Sequence, residues 1–367
     1  MEREAHMRRA LDLAARGWGR VSPNPMVGCV LVRDGRVVGE GWHEGPGTEH
    51  AEAMALRLAG PRAAGATAFV TLEPCTHHGR TPPCAPALIG AGVEAVAVAS
   101  RDPNPVVDGR GLGALRDAGL VVEEGVGREE ADRQNVAFRT HVRTGLPFVV
   151  LKMASSLDGK AGARDGSSKW ITGPGSRADV QRLRAWADAV AVGAGTVLAD
   201  DPALTVRDPS LGSARPPLRV VVDATGRVPG DRRSFDPVAP TLVATTELAP
   251  FDRRQEWLDA GADVAVLERD ADDGVSVRAL VEALGKRDVQ GLVIEGGPTF
   301  AWSAVRDGAV DQVVLYVAPS LVGGREAPGW LAGEGFAPIP HAGRVELATV
   351  ERIGPDLKVV ADVHRDR

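Results

Sequence analysis

Short apolar runs of strand length alternate with helical segments along this chain, and the alternation breaks once, at Thr144-Gly145-Leu146-Pro147, before resuming at Phe148. This pattern constrains the fold more than any other feature. Strands separated by helices build a sheet covered on both faces, a three-layer α/β/α arrangement. A chain of 367 residues exceeds one ordinary domain. The expected organisation is therefore one α/β unit over 1–145 and a second over 146–367.

In the first half, Met7, Ala10, Leu11 and Ala14 share one face of a helix over 5–17 that Gly17 stops. Segments 27–32 and 37–40 flank Asp34-Gly35, a hairpin signal. Then follow a helix from His50 to Leu58, a buried strand over 68–72, a helix near 84–90 and a strand over 95–99. A helix over 111–118, a strand over 121–123 and one long helix over 129–143 complete the unit. In the second half, strands are expected at 148–153, 189–192, 218–223, 241–245, 264–267, 291–295 and 313–317, with helices at 176–187 and 277–286. A further helix follows Gly296-Gly297, a hairpin turns at Pro355-Asp356, and the acidic cluster 270–273 reads as a solvated loop.

His50-Ala51-Glu52, then Pro74-Cys75, then Pro83-Cys84 carry the first chemistry. One imidazole and two thiolates hold zinc tetrahedrally and leave a fourth position for water. Glu52 is not needed as a ligand and stands where it can move protons, the pattern of zinc deaminases. Eight residues separate the cysteines, more than in the common C-x-x-C. Cys84 is thus either a ligand on a longer loop, the preferred reading, or no ligand. Structural zinc would need a fourth protein ligand, for which His43, His77 and His78 are the candidates. Cys29, inside the apolar run 26–32, reads as core.

The second half offers three polar, glycine-bearing strand exits: Lys152 to Lys160, Gly193-Ala194-Gly195-Thr196, and Glu295-Gly296-Gly297-Pro298-Thr299. Backbone N–H groups at such a helix start can hold a phosphate. Gly193-x-Gly195 is followed by Val197 and Leu198, so the G-x-G-x-x-G dinucleotide fingerprint is absent. Arg184 and Arg207 are each read either as a bidentate phosphate clamp or as a surface charge.

Composition narrows the partners. Hydrophobic residues at 44% and charged residues at 25% describe a soluble globular protein, and no apolar run approaches a membrane span. A net charge of −6 argues against a dedicated nucleic-acid binder. Three cysteines and a polar N-terminus lead to an expectation of a reducing cytoplasm, without secretory signal or membrane contact. Assembly as a homo-oligomer is expected.

Taken in order, further runs complete a picture spanning nearly the whole chain. They are Pro23-Asn24-Pro25-Met26-Val27-Gly28, Gly41-Trp42-His43, His50-Ala51-Glu52, and Glu73-Pro74-Cys75 through His78-Gly79-Arg80-Thr81-Pro82-Pro83-Cys84. Arg101-Asp102-Pro103-Asn104-Pro105, Lys152 to Gly159, Ser168-Lys169-Trp170-Ile171-Thr172, Gly195 to Pro202 and Glu295-Gly296-Gly297 follow. The chain thereby resembles the bifunctional pyrimidine deaminase–reductase family of bacterial riboflavin biosynthesis, whose own loop has the eight-residue cysteine spacing.

That resemblance implies a cytidine deaminase-like N-terminal domain and a dihydrofolate reductase-like α/β C-terminal domain. The first would remove the 2-amino group of 2,5-diamino-6-ribosylamino-4(3H)-pyrimidinone 5′-phosphate; the second would reduce the ribosyl group to ribityl with NADPH. It further implies Zn2+ on His50, Cys75 and Cys84, Glu52 as the proton shuttle, and Asn24, His43, His77 and Arg80 lining the deaminase pocket. Lys152, Ser168, Arg184, Leu204, Arg207 and Glu295 would meet the reductase substrate. Ala154, Trp170, Thr196, Asp200, Ser234 and the run Gly297, Pro298, Thr299, Phe300, Ala301, Trp302 and Ser303 would meet NADPH.

Overall fold

The computed structural model describes residues 2–77, 82–211 and 215–363. The chain divides into two compact units, Met1–Gly145 and Leu146–Arg367.

The first unit runs α1 (Glu2–Ala14), β1 (Gly28–Arg33), β2 (Arg36–Trp42), α2 (Ala51–Ala59), β3 (Thr67–Leu72) and α3 (Cys84–Gly90). It continues through β4 (Ala95–Ser100), α4 (Arg110–Asp117), β5 (Val121–Glu124), α5 (Arg128–Gln134) and α6 (Val136–Thr144). Its sheet has the order β2-β1-β3-β4-β5, with β1 antiparallel to both neighbours and β3, β4 and β5 parallel. Asp34 and Gly35 both take positive φ, which the tight β1–β2 turn requires. Side-chain alternation along the strands separates two cores. Cys29, Leu31, Val70 and Val98 pack with α2, α3 and α4, whereas Val30, Phe69 and Ala97 pack with α1 and α5. Cys29 is fully buried core.

Close backbone approach fixes the helix that carries His50. A Cβ on Gly41 of β2 would lie 2.1 Å from the Ala51 carbonyl oxygen, so only glycine lets the first turn of α2 rest on the sheet. The single helix expected over 129–143 is instead two. Asn135 leaves helical geometry, and its side chain accepts from Met26 N at 2.7 Å and donates to Met26 O at 2.9 Å. Local periodicity is blind to that distant bond.

The second unit comprises β6 (Phe148–Ser156), α7 (Pro174–Trp186), β7 (Ala189–Gly193), α8 (Ala194–Asp200), β8 (Leu218–Val222), β9 (Thr241–Thr245) and α9 (Phe251–Asp259). Then come β10 (Asp263–Val266), α10 (Val277–Gly285), β11 (Gly291–Glu295), α11 (Pro298–Arg306), β12 (Gln312–Ala318), β13 (Val345–Ile353) and β14 (Asp356–Val363). The sheet order is β10-β9-β8-β7-β11-β6-β12-β14-β13, parallel through β12 and closed by an antiparallel pair. Residues of α10 and α11 pack on one face, and residues of α7, α8 and α9 on the other. Three layers thus recur.

Two short helices, α8 and α9, were not expected from the sequence. In α9 only Trp257 is buried, donating to the Val228 carbonyl, so no apolar stripe announces it. The loop read as solvated at 270–273 does expose residues 271–273, but Asp270 is withdrawn: Arg306 of α11 pairs with it at 2.8 Å, and also with Asp272 and Asp307. Among the described residues, no helix is long and apolar enough to cross a membrane.

Candidate active sites

The first unit gathers three donors from three elements. His50 is the N-cap of α2, Cys75 lies three residues beyond β3, and Cys84 opens α3. His50 Nδ1 lies 3.1 Å from Cys84 Sγ and 3.7 Å from Cys75 Sγ, and all three donor atoms fall within 4.8 Å of one another. The Cys84 amide donates to Cys75 Sγ at 3.5 Å. A hydrogen bond from Cys84 pulls the Cys75 thiol well below its ordinary value and pushes Cys84 up in exchange. One nitrogen and two sulfurs, one already thiolate-like, are the donor chemistry zinc takes. Both cysteines belong to the cluster, with Cys84 Sγ at least as near to His50 Nδ1 as Cys75 Sγ is.

Glu52 lies two residues past His50 in the first turn of α2 and is 4% exposed. Burial, then the Cys75 thiolate, raise its carboxyl to about 7. It stays outside the donor trio. His43 is also buried; its Nε2 lies 2.9 Å from Asn24 Nδ2 and its Nδ1 3.2 Å from the Glu49 carbonyl. Those partners fit a neutral ring, donating from Nδ1 and accepting at Nε2, and burial lowers the His43 pKa accordingly. Its ring meets that of His50 edge-on, with centroids 5.8 Å apart. His43 is therefore oriented beside the cluster, its two ring nitrogens already engaged. His77 is exposed, and Arg80 lies outside the described residues.

The sequence reading gave Glu73 no role, but it builds the loop holding Cys75. Its buried carboxylate accepts from the backbone amides of Asp102, Gly109, Gly111 and Leu112 at 2.9–3.3 Å, capping the start of α4. An acidic residue directly after an apolar strand and before Pro-Cys was the available signal.

In the second unit, the C-terminal ends of β6, β11, β7 and β8 open onto a cavity of about 970 Å3, where ligands of parallel sheets usually bind. Lys152, Ala154, Ser168, Trp170, Arg184, Thr196, Asp200, Leu204, Arg207 and Glu295 all line it. Gly297, Pro298, Thr299, Phe300 and Ser303 line it too.

Three expected contacts fall elsewhere. Ala301 packs into the core and Trp302 meets the Phe336 ring edge-on with centroids 5.0 Å apart, because a run of seven residues on a helix cannot face one side. Ser234 is fully buried and does not line the cavity; its carbonyl accepts from the Thr241 hydroxyl at 2.6 Å.

Electrostatics divide the cations. Arg184 forks onto Glu295 at 2.6 and 2.8 Å and donates its remaining arm to the Thr205 carbonyl. It is therefore not the open phosphate clamp that one sequence reading considered. Burial pushes Glu295 up, but the Arg184 charge and hydrogen bonds, with Lys152 and Arg207, outweigh it and leave the carboxyl below its ordinary value. Burial lowers the Lys152 ammonium despite Glu295, its pairing neighbour across β6 and β11. Arg207 keeps an exposed guanidinium while its amide donates to Gln181.

Gly296 and Gly297 take positive φ at the start of α11, and a Cβ on Gly297 would come within 3.0 Å of Thr196 Oγ1. Bare backbone at a helix N-terminus suits a pyrophosphate, so the residues fit a dinucleotide.

Comparison with known proteins finds a match for each of the two units. Residues 1–100 match the cytidine and deoxycytidylate deaminase zinc-binding region, and residues 147–359 match the RibD C-terminal domain. The riboflavin biosynthesis protein RibD of Escherichia coli K12 is 42% identical over 97% of this chain and 98% of its own length. An Acinetobacter baumannii RibD structure superposes with a TM-score of 0.89 at 38% identity, covering 99% of both chains. A Thermotoga maritima structure, described as a diaminohydroxyphosphoribosylaminopyrimidine deaminase/5-amino-6-(5-phosphoribosylamino)uracil reductase, gives 0.87 at 36% identity over 99% of both. The chain belongs to the RibD family and is a bifunctional deaminase and reductase of riboflavin biosynthesis.

Proposed function

We propose that residues 1–145 deaminate 2,5-diamino-6-ribosylamino-4(3H)-pyrimidinone 5′-phosphate and that residues 146–367 reduce the ribosyl side chain of the product, giving 5-amino-6-ribitylaminouracil 5′-phosphate. The observation carrying this reading is the convergence of His50, Cys75 and Cys84 beside a buried carboxyl, Glu52, that is not one of the donors. Zinc on that trio supplies Lewis acidity for hydrolysis of the amino group. Glu52 takes a proton from the attacking water and returns one to the departing ammonia. Asn24, the neutral His43 and His77 orient the pyrimidine.

NADPH supplies the hydride in the second unit. Lys152 stands beside Glu295 as the residue able to give a proton to the ring-opened sugar. Arg184 holds Glu295 in place, while Ser168, Leu204 and Arg207 meet the substrate, Arg207 being the cation open to its phosphate. Ala154, Trp170, Thr196, Asp200 and the cavity-facing residues of 297–303 hold the cofactor.

Assembly as a homo-oligomer is supported by β13, an edge strand exposing Val345, Leu347 and Val350. The three free thiols fit a reducing cytoplasm. The direct test supplies the diaminopyrimidine phosphate with NADPH and follows ammonia and NADPH together. Ammonia release without subsequent NADPH oxidation would remove the second half of the assignment.

A further inference from the structure

We infer that Gln181 of α7 is a positioning residue of the reductase, fixing the backbone of Arg207 so that its guanidinium is presented to the substrate phosphate. The inference rests on reading Arg207 as the cation that meets that phosphate.

Helical spacing puts Arg177, Gln181 and Arg184 on one stripe of α7, at i, i+4 and i+7. Val180 and Leu183, on the neighbouring face, pack in the core. The polar stripe instead reaches the backbone of two loops. Arg177 donates to the Thr172 carbonyl at 2.8 Å, and Arg184 donates to the Thr205 carbonyl at 3.2 Å. Between them, the side-chain oxygen of Gln181 accepts from the Arg207 amide at 2.8 Å. Both loops so held, 168–172 and 202–207, contribute residues to the cavity wall.

A side chain can position another residue only if its own element is fixed. α7 meets that condition. Asp356, buried at the start of β14, accepts from the Gly173 amide at 2.7 Å and from the Ser176 hydroxyl at 2.5 Å. Asp179 accepts from the Tyr316 hydroxyl of β12 and pairs with Lys358 of β14, both at 2.7 Å. Arg184 is forked onto Glu295 of β11. Three strands thus grip the helix at its start, middle and end, and the Gln181 oxygen is a fixed point.

The held segment needs that support. Residues 202–207 form neither helix nor strand, and Asp201 and Leu204 take positive φ of 42° and 53°. Such conformations persist where the surroundings over-determine them. Leu204 and Thr205 are buried, whereas Arg207 is exposed on the cavity, so its amide is where a bond from α7 can still set the direction of the side chain. The Arg207 charge reaches Glu295, placing the guanidinium at the end of the cavity that Lys152 and Glu295 mark. A long, forked side chain loses less on binding a phosphate when its backbone is already placed.

The test is steady-state reduction by the full chain with NADPH, using the deaminated substrate with and without its 5′-phosphate. Gln181→Met keeps the length and helix preference of the side chain and removes the acceptor. It should raise KM for the phosphorylated substrate about three- to ten-fold, the scale of one hydrogen bond, with kcat unchanged. The dephosphorylated substrate and NADPH should keep their kinetic constants, which also shows that the variant folds. In an Arg207→Ala background the same substitution should be silent, because Gln181 acts only through that residue. Equal losses on both substrates mark a merely structural role, and a loss that persists without the Arg207 side chain marks direct contact; either overturns the inference alone. An unchanged KM in Gln181→Met overturns it too. If Arg207→Ala by itself keeps the preference for the phosphorylated substrate, the reading of Arg207 fails, and the inference falls with it.

Discussion

Arg184→Met isolates the electrostatics of the reductase cavity. The substitution keeps an apolar stem but removes the guanidinium that forks onto Glu295 at 2.6 and 2.8 Å, where both side chains are only 9–10% exposed. Breaking a buried pair from one side usually costs about 3–5 kcal/mol, because the remaining charge stays desolvated. For a unit of about this size, that corresponds to a fall in Tm of roughly 6–20 °C in its thermal transition. The pH dependence identifies the cause. In the wild type, Glu295 has a folded pKa below its ordinary 4.5, so its stabilising contribution is complete above 4.5 and is lost as pH falls through the folded value. In the variant the lowering influence of Arg184 is gone and burial dominates, so the folded pKa rises above 4.5. Stability then declines as pH rises through that value. The Tm deficit should therefore be larger at pH 7.5 than at pH 4.5 and smallest below the wild-type folded value, read by calorimetry of the two proteins across that range. Adding Glu295→Gln to the variant should recover more than half of the deficit at pH 7.5, since the stranded charge is removed. A deficit independent of pH, or two losses that simply add, would refute the account.

Glu52→Gln should retain stoichiometric zinc by metal analysis while deamination drops about 10²–10⁴-fold, whereas Cys84→Ser should lose the metal as well. Gly41→Ala forces a methyl to within 2.1 Å of the Ala51 carbonyl and should destabilise the first unit by at least the ~1–3 kcal/mol of ordinary overpacking, with weaker zinc retention in a chelator competition. Arg207→Ala should raise KM for the phosphorylated substrate while leaving the dephosphorylated one unaffected; equal effects on both would shift the phosphate contact to Lys152. Expressed separately, residues 1–145 should bind zinc and residues 146–367 should bind NADPH, and nucleotide binding confined to the first piece would overturn the division of labour.

The sequence disclosed most of the architecture because strand-length apolar runs and helical stripes are local signals. The buried strands β3, β7 and β9 and the helix carrying Leu280 and Leu284 all announce themselves this way. It failed where one long-range contact decides local geometry. Asn135 breaks a helix to bond Met26, 109 residues away, and Asp270 leaves solvent for Arg306, 36 residues on. Arginine roles were the least legible, because the same residue type serves as a buried strut at 184 and an open cation at 207. The misplaced contacts at Ala301 and Trp302 were avoidable: helical spacing already separates them from Phe300 and Ser303.

Both sites exploit the same local device. A strand ends, the chain turns, and a helix begins with its unpaired N–H groups facing the ligand. In the first unit, His50 caps α2 and Cys84 opens α3, so the Cys84 amide is free to donate to Cys75 Sγ. That bond favours the charged form of the sulfur, the form a metal takes. In the second unit, Gly297 caps α11 on bare backbone, and the same positive helix end serves a pyrophosphate. The ligand classes differ because the side chains at the helix starts differ. Sulfur and imidazole make the first a metal site; glycine at the corresponding place in the second leaves only amides. Replacing Gly297 with a side chain would fill the space beside Thr196 while leaving the helix dipole in place, so the cavity's selectivity lies in the missing Cβ as much as in the charges around it.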